Sequence, residues 1–238
     1  MRKLTPLFLI LLGVGLFVLT RKKPPAKTSE KKISKRTVGS VVNEIEQEVT
    51  RRLSPHFTNA GLNDFPKEIV LVGLKEEQLL QVYAKTQNDI KFIKAYPFTA
   101  NSGNLGPKLK EGDRQIPEGI YQIEYLNPNS SFYLSLKINY PNEFDKSKSQ
   151  FANVSEMGGD IFIHGKAVTI GCIPIGDEAI EEVFLMAKKA FSHPIKVIIS
   201  PRDFRKTAIY PNVASIDWEE ELYRQIEEEL NKVPLSNL

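Results

Sequence analysis

Apolar residues in the middle of the chain recur at every second position, which is the period of β-strands. The pattern starts at residues 69–72 and returns at 79–84, 90–96, 120–125, 133–138, 161–163 and 195–200. Two pairs of these segments are joined by short polar stretches, at residues 87–89 and 127–131, as in β-hairpins. The pattern therefore predicts a mostly β domain, either a sandwich or a barrel.

Three stretches show helical spacing instead. A helix over residues 41–53 is expected to end at Pro55, and a second is expected to begin with Asp177 as its side-chain cap. A third spans about residues 215–232, and each helix carries one apolar stripe suited to packing on the sheet. The fold class is therefore mainly β with flanking helices.

Residues 4–20 form an apolar run with basic residues on both sides. As a helix, this run would reach about 26 Å, slightly short of a hydrocarbon core of about 30 Å. Because no pair of small residues suits a signal peptidase, we expect an uncleaved signal anchor, with a cleaved signal as the alternative. The basic flank after the run favours the cytoplasmic side, which opposes export of the domain.

The remaining organisation follows from composition. Residues 1–23 are assigned to the anchor, 24–65 to a basic linker and short helix, 66–211 to the main domain and 212–238 to a C-terminal helix. The net charge of +3 is concentrated at the N-terminus without a nucleic-acid-binding motif, so no nucleic-acid partner is expected. Asp203 is expected to form a surface charge cluster with Arg202 and Arg205.

The single cysteine and one histidine carry the candidate chemistry. Cys172 follows His164 by eight residues, and glycines lie beside both, at Gly165 and Gly171. A thiol attacks a carbonyl as thiolate, so it needs a neighbouring base, and a helix beginning near Asp177 would favour the thiolate. We therefore expect Cys172 to have a lowered pKa. The alternative is a buried structural cysteine and a buried structural histidine.

The chain's three histidines and one cysteine lack the spacing of a zinc site, so no metal is expected, and one cysteine forms no intramolecular disulfide. The glycines at 103, 106 and 112 do not follow a phosphate-loop spacing.

The segments Ile163-His164-Gly165 and Thr169-Ile170-Gly171-Cys172 resemble the signature of the L,D-transpeptidase (YkuD-type) catalytic domain. Residues 102–121 are similar to the YafK-like branch of that family, and the resemblance covers about residues 66–211. It implies a YkuD-like β-sandwich or barrel behind the anchor, in a cell-envelope enzyme with its domain in the periplasm. The implied substrates are peptidoglycan stem peptides, cleaved through a cysteine acyl-enzyme without a cofactor.

The resemblance also implies roles for individual residues. Cys172 would be the nucleophile, His164 the base, and the carbonyl of Gly165 would hold the imidazole tautomer. The N–H groups of Gly171 and Cys172, in the turn that contains Thr169, are the candidate oxyanion donors. The candidates for binding a stem-peptide carboxylate are basic: Lys108, Arg114 and Lys166.

The sequence departs from the family at two positions. Ile170 stands where many members have a second histidine, and Pro174 stands where many have an arginine. The missing arginine leaves open how a substrate carboxylate is held. A transpeptidase, a cysteine hydrolase (an L,D-carboxypeptidase, or an amidase that releases attached protein) and a non-catalytic wall-binding anchor all remain candidates, and the oligomeric state stays open.

Overall fold

The computed structural model describes residues 35–236. Eight strands form one mixed sheet in the order β3-β2-β1-β8-β4-β5-β6-β7. Neighbouring strands are antiparallel except in the pairs β1–β8 and β6–β7. The bounds are β1 Ile69–Leu74, β2 Leu79–Lys85, β3 Ile90–Pro97, β4 Gly119–Ser130, β5 Tyr133–Ile138, β6 Phe162–His164, β7 Ile173–Pro174 and β8 Lys196–Ser200.

The sheet curls because its longest strand changes partners. The first part of β4, Gly119 to Gln122, pairs with β8, and from Ile123 onward the strand pairs with β5. The two ends of the sheet approach each other, since the N–H of Thr99 donates to the carbonyl of Pro174 in β7 at 2.9 Å. The predicted mainly β fold with flanking helices is confirmed, as one curled sheet rather than two separate ones.

Helices cover both faces of the sheet. They are α1 Val38–Asn59, α2 Glu143–Ser147, α3 Asp177–Ala190 and α4 Glu219–Leu230, with a 3-10 turn at Val154–Met157. Leu71 of β1 belongs to the core that contains α1 and α3, whereas Val70 and Val72 belong to the core that contains α4. Because both faces are covered, all six residues of β1 are buried.

Two helix and strand ends differ from the sequence-based expectation. α1 continues through Pro55 to Asn59, because Phe57 extends its buried stripe and packing outweighs the lost hydrogen bond. β4 includes the polar stretch that was expected to be a turn, and Asn127 pairs with Ser135 of β5.

The cap of α3 also differs. α3 begins at Asp177, but its cap residue is Gly176, which has no side chain to cap it. The carboxylate of Asp177 instead accepts from the N–H of Lys166 at 2.8 Å.

The expected surface cluster at Asp203 is wrong. The guanidinium of Arg205 donates to both carboxylate oxygens of Asp203, at 2.7 and 2.9 Å, and both side chains are buried. Arg205 also donates to the hydroxyl of Tyr83 and to the carbonyl of Pro234, so the C-terminal segment covers the pair. The pair therefore ties that segment to β2 inside the molecule.

Residues 35–238 form one compact unit, so α1 and α4 belong to the same body as the sheet. The expected anchor at residues 4–20 lies outside the described part of the chain. Among residues 35–236, no helix combines the length and the apolar character needed to span a membrane. Within the same residues, no group of three or more acidic, histidine or cysteine side chains is placed to bind a metal ion.

Candidate active site

His164 is the last residue of β6 and is held in one orientation. Its Nδ1 lies 2.6 Å from the carbonyl oxygen of Gly165. Because a carbonyl only accepts, Nδ1 carries the proton, and the lone pair of the neutral ring is on Nε2. Nε2 is buried and has no hydrogen-bond partner among residues 35–236. Burial lowers the pKa of His164 and the bond to Gly165 partly opposes this shift, so the ring is neutral at pH 7.

Cys172 immediately precedes β7, the strand that pairs with β6. Ile173 pairs with Ile163 and Pro174 with His164, in parallel register. Extending this register by one residue places Cys172 beside Phe162, which shares a strand face with His164. His164 thus ends β6, and Cys172 lies one residue before β7, the strand that pairs with β6.

The thiol of Cys172 is protonated at neutral pH. Its Sγ lies 3.7 Å from the carbonyl oxygen of Asp160. Burial raises the pKa of Cys172, the nearby charge of Asp160 raises it further, and a backbone N–H of Phe162 together with the charge of Lys108 lowers it only in part. The expected lowered pKa is therefore wrong, because desolvation of the thiolate outweighs the favourable contacts.

Thr169 shapes the turn before the nucleophile. Its Oγ1 accepts hydrogen bonds from the N–H groups of Gly171, at 3.1 Å, and Cys172, at 2.8 Å. The same hydroxyl donates to the carbonyl of Cys172 at 2.7 Å. The two expected oxyanion donors are thus engaged by this side chain, and an oxyanion reaches them only by displacing or sharing with Thr169 Oγ1.

Both glycines of the motif are required by close packing. Gly171 has a φ of +133°, and a Cβ there would lie 3.0 Å from the carbonyl oxygen of Gln115. A Cβ on Gly165 would lie 2.5 Å from Asp177 Oδ1 and 2.8 Å from the carbonyl oxygen of Phe132. Real Cβ atoms essentially never come as close to oxygen as one on Gly165 would, and at Gly171 a tight contact adds to a φ that L-residues rarely adopt, so a larger residue at either position is strained.

The long loop 102–118 packs against this turn through Gln115 and is organised by Asp113. The carboxylate of Asp113 accepts from the backbone N–H groups of Leu109, Lys110 and Gln115, at 2.9 to 3.0 Å. These bonds and Lys108 lower the pKa of Asp113, although burial acts in the opposite direction. The loop is thus held in a defined conformation by the Asp113 carboxylate.

A buried ion pair fixes the base of the same loop. Lys75, the residue after β1, and Glu118 are 3% and 0% exposed, and Lys75 Nζ lies 2.8 Å from Glu118 Oε1. Lys75 Nζ also donates to the carbonyls of Gly106, at 2.8 Å, and Ile116, at 2.9 Å. Glu118 accepts from the N–H of Gly106 and from the hydroxyl of Tyr223 on α4. The loop is therefore tied to both the sheet and α4.

The three basic candidates for carboxylate binding occupy different environments. Lys108 is buried, and its Nζ donates to Asp113 Oδ1 at 2.6 Å and to the carbonyl of Lys110 at 2.7 Å. Arg114 and Lys166 are exposed, and both have positive φ values, of 58° and 61°. Arg114 and Lys166 are thus open to an incoming anion, whereas Lys108 is already engaged.

A cavity of about 520 Å³ lies between the loop and the segment that precedes α4. Lys108, Asp113 and Gln115 line it on the loop side, and Trp218 lines it on the other. Neither reactive residue is among its walls.

Phe132 and Asp113 were not assigned a role from the sequence, and Asp177 was expected only as a helix cap. Phe132 stacks on the ring of His164 with the centroids 4.5 Å apart. Its position after two serines indicates only a turn, so the sequence carries no signal for this contact. The charged residues 111, 113 and 114 stand close together in the sequence, but nothing there shows which carboxylate organises the loop.

Comparison with known proteins identifies a family that the chain matches. The model of the YkuD family, described as the L,D-transpeptidase catalytic domain, matches residues 67–199. A protein of Escherichia coli K12 named "Putative L,D-transpeptidase YafK" is 34% identical over 138 residues, which is 56% of this chain and 53% of that protein. The chain thus spans about half the length of the curated relatives it matches.

Three solved structures are similar to this chain at low identity. The helical cell shape determining protein Pgp2 of Campylobacter jejuni has a TM-score of 0.47 and 17% identity, with 70% of each chain covered. Bd1075 of Bdellovibrio bacteriovorus has a TM-score of 0.42 and 20% identity, over 70% of this chain and 56% of that one. L,D-transpeptidase 1 of Mycobacterium tuberculosis has a TM-score of 0.30 and 12% identity, over 56% of this chain and 62% of that one.

The family match covers more than half of the chain and includes both His164 and Cys172. It therefore bears out the resemblance that the two motifs indicated. The chain belongs to the L,D-transpeptidase catalytic domain (YkuD) family.

Proposed function

We propose that this protein is a peptidoglycan L,D-transpeptidase that works through a cysteine acyl-enzyme. The observation that carries the proposal is the state of His164, whose Nδ1 is fixed by Gly165 while Nε2 is buried and unpartnered within residues 35–236. An unpaired nitrogen is costly to bury, and the thiol of Cys172, one residue before the adjacent strand β7, would supply the proton that Nε2 accepts.

The first half of the reaction forms a thioester. Sγ of Cys172 attacks the carbonyl carbon of the L-configured third stem residue as its proton passes to Nε2 of His164. The tetrahedral oxyanion collapses, the bond to the terminal D-amino acid breaks, and the imidazolium protonates the leaving amine. General-base catalysis of this kind is typically worth about 10²–10⁴-fold in rate.

The second half releases the acyl group. An amine attacks the thioester, His164 accepts the proton from that amine, and the departing thiolate of Cys172 regains a proton from the imidazolium. Because both groups start neutral, thiol deprotonation accompanies attack instead of preceding it. The chemistry uses only these two side chains and the surrounding backbone.

A cysteine hydrolase is the second candidate, favoured by one position. Pro174 stands where many family members have an arginine. Pro174 is buried in β7, so this position offers no cation to bind the amine that would accept the acyl group. Transfer needs an amine held close to the thioester, since water competes at about 55 M. Arg114 and Lys166 are the exposed cations that would hold the acceptor.

The decisive experiment gives the protein a tetrapeptide muropeptide with and without an added D-amino acid or second stem peptide, and reads the products by mass spectrometry. Exchanged or dimeric products support transfer. Tripeptide with free D-alanine alone, whatever amine is supplied, supports the carboxypeptidase. Cys172→Ala and His164→Ala should abolish both, and His193→Ala is the matched control because His193 is exposed at the end of α3.

We further propose that residues 4–20 anchor the protein in the membrane with the catalytic domain in the periplasm. The proposal rests on the location of peptidoglycan stem peptides outside the cytoplasmic membrane. A reporter that is active only in the periplasm, fused after Leu238, should give a signal. Activity of a reporter restricted to the cytoplasm at the same junction would contradict it.

A further inference from the structure

The tip of the β4–β5 hairpin lies directly on the proposed catalytic base. The rings of Phe132 and His164 stack with centroids 4.5 Å apart and planes 29° apart. Phe132 is 37% exposed, whereas His164 is 1% exposed, so the phenyl ring stands between one face of the imidazole and the solvent. The backbone of the tip also packs against Gly165, the residue after His164, because the carbonyl oxygen of Phe132 would lie 2.8 Å from a Cβ on Gly165.

The tip is held in a conformation that its sequence disfavours. Tyr133 has a φ of +75°, and a bulky residue with positive φ is a true outlier that persists only when its surroundings impose it. The turn is braced from within, because the N–H of Phe132 donates to Ser130 Oγ at 3.1 Å. A strained residue beside a reactive group is a recurrent mark of functional sites.

Contacts from two helices impose this conformation. The hydroxyl of Tyr133 donates to Glu181 Oε1 of α3 at 2.6 Å. On the other side, Arg36, just before α1, places its guanidinium 5.6 Å from the centre of the Tyr133 ring. Arg36 also exchanges two hydrogen bonds with the side chain of Asn129, through its N–H at 2.9 Å and its carbonyl at 2.7 Å. The hairpin tip is thus fixed at three points.

The elements that hold the tip are themselves joined. Arg52 of α1 donates to Glu181 Oε2 at 2.7 Å and to Glu182 Oε1 at 3.0 Å. Glu181 therefore connects α1, α3 and the hairpin in one polar cluster. Displacement of the tip would disrupt this cluster, which explains why the strained turn is stable.

We propose that the tip Ser130–Tyr133 is a positioning element for His164, in which Phe132 covers one face of the imidazole and fixes its plane. The bond from Nδ1 to Gly165 holds one edge of the ring, and the stacked phenyl ring restrains its face. Phe132 is a positioning residue and does not touch the reacting atoms. This inference rests on the proposed function, in which His164 is the base.

The test compares Phe132→Ala, Phe132→Leu and Phe132→Tyr in the full-length chain. Phe132→Ala should lower kcat by about 10- to 100-fold with little change in KM, since misplacing a catalytic group by about 1 Å has effects of this size. Phe132→Tyr keeps the planar ring and should restore kcat to near the unmodified value. Phe132→Leu keeps most of the volume without the planar face and should give an intermediate kcat, which preserves the test if the alanine variant folds poorly.

A second readout separates positioning from a general structural role. Removal of the phenyl ring exposes the imidazole, so the pKa of His164 should rise toward its ordinary value and the acid limb of the activity profile should move to higher pH. The same titration is measurable by NMR of the imidazole in a Cys172→Ala background, which needs no turnover. Phe191→Leu is the matched control, because Phe191 is similarly exposed, at 39%, but lies at the far end of α3.

The outcomes of the two proposals are distinguishable. If Cys172→Ala and His164→Ala are inactive while Phe132→Ala keeps its kcat and an unshifted His164 titration, the positioning inference is wrong and the proposed function stands. If His164→Ala retains turnover, the proposed function itself is wrong.

Discussion

Loss of one partner of the buried Lys75–Glu118 pair should destabilise the protein strongly. The ammonium of Lys75 has three donors and three acceptors within 2.9 Å, so it is fully satisfied away from water. Lys75→Met leaves the Glu118 carboxylate, at 0% exposure, with only neutral donors. Breaking a buried pair in this way typically costs about 3–5 kcal/mol in the free energy of unfolding, because an uncompensated charge remains buried.

Urea unfolding followed by circular dichroism measures this cost, and a double-variant cycle isolates the pair. Glu118→Gln should also be costly, and the double variant should be less destabilised than the sum of the two singles, because it leaves no buried charge alone. The exposed pair Lys85–Glu68 provides the control, since its N···O distance is also 2.8 Å. Lys85→Met should change the free energy of unfolding far less.

Two results would refute the reasoning. One is a cost for Lys75→Met no larger than that for Lys85→Met, and the other is strict additivity in the cycle. The pair also holds Gly106 and Ile116 of the loop that packs on Gly171, so the single variants should lose turnover even where they remain folded. Full activity in a folded Lys75→Met variant would show that the loop does not depend on this pair.

Three further perturbations test the candidate site, and one, at the buried Asp145 of α2, tests the folding energy. Activity should fall as the pH decreases through a midpoint below 6.5, because burial lowers the pKa of His164 and a protonated imidazole accepts no proton. A midpoint at or above 6.5 in a pH–rate profile would contradict this. Gly165→Ala should lower both Tm and turnover, since its Cβ would meet Asp177 Oδ1, and unchanged values would refute the packing argument. Burial raises the pKa of Asp145 from 3.8 to about 6, so ionisation opposes folding as pH rises through this window. Asp145→Asn loses one of the two acceptors used by Tyr121 and Asn142 at any pH, but its effect on the free energy of unfolding should be more favourable at pH 8 than at pH 3, by at most about 3 kcal/mol at about 1.4 kcal/mol per pKa unit. Equal effects at both pH values in denaturant unfolding would exclude the charge as the cause. Thr169→Val should lower stability by about 1–3 kcal/mol by leaving two N–H groups unpaired, and Thr169→Ser should not; equal melting curves would exclude this role.

Much of the fold was predictable because its core strands alternate or are wholly apolar. β1, β2, β3, β5 and β8 were each predicted to within one or two residues, and the apolar stripe of α4 was predicted as well. β7, with two residues, and α2, with five, are too short to show any period. The passage of α1 through Pro55 was missed because burial of Phe57 is a tertiary effect that outweighs local preference.

The candidate site was predictable where motifs carry it. Cys172, His164 and their glycines were identified from two short segments, and in the structure these segments end β6 and lead into β7, which pair with each other. The ionisation state of Cys172 was not predictable, because it depends on how much water the fold removes from the thiol. The stacking of Phe132 on His164 depends on a hairpin that crosses from a distant part of the sequence, which no local pattern encodes.

Of the short segment 166–170, only Thr169 takes part in the hydrogen bonds that hold His164 and Cys172. His164 is fixed by the pairing of β6 with β7, and Cys172 lies one residue before β7 and donates its N–H to Thr169 Oγ1. The side chains of Val168 and Ile170 are 55% and 76% exposed. Substitutions at these two positions therefore change the surface near Cys172 at little cost in folding. Under the proposed function, a library randomised there would sample substrate preference while His164 and Cys172 stay unchanged.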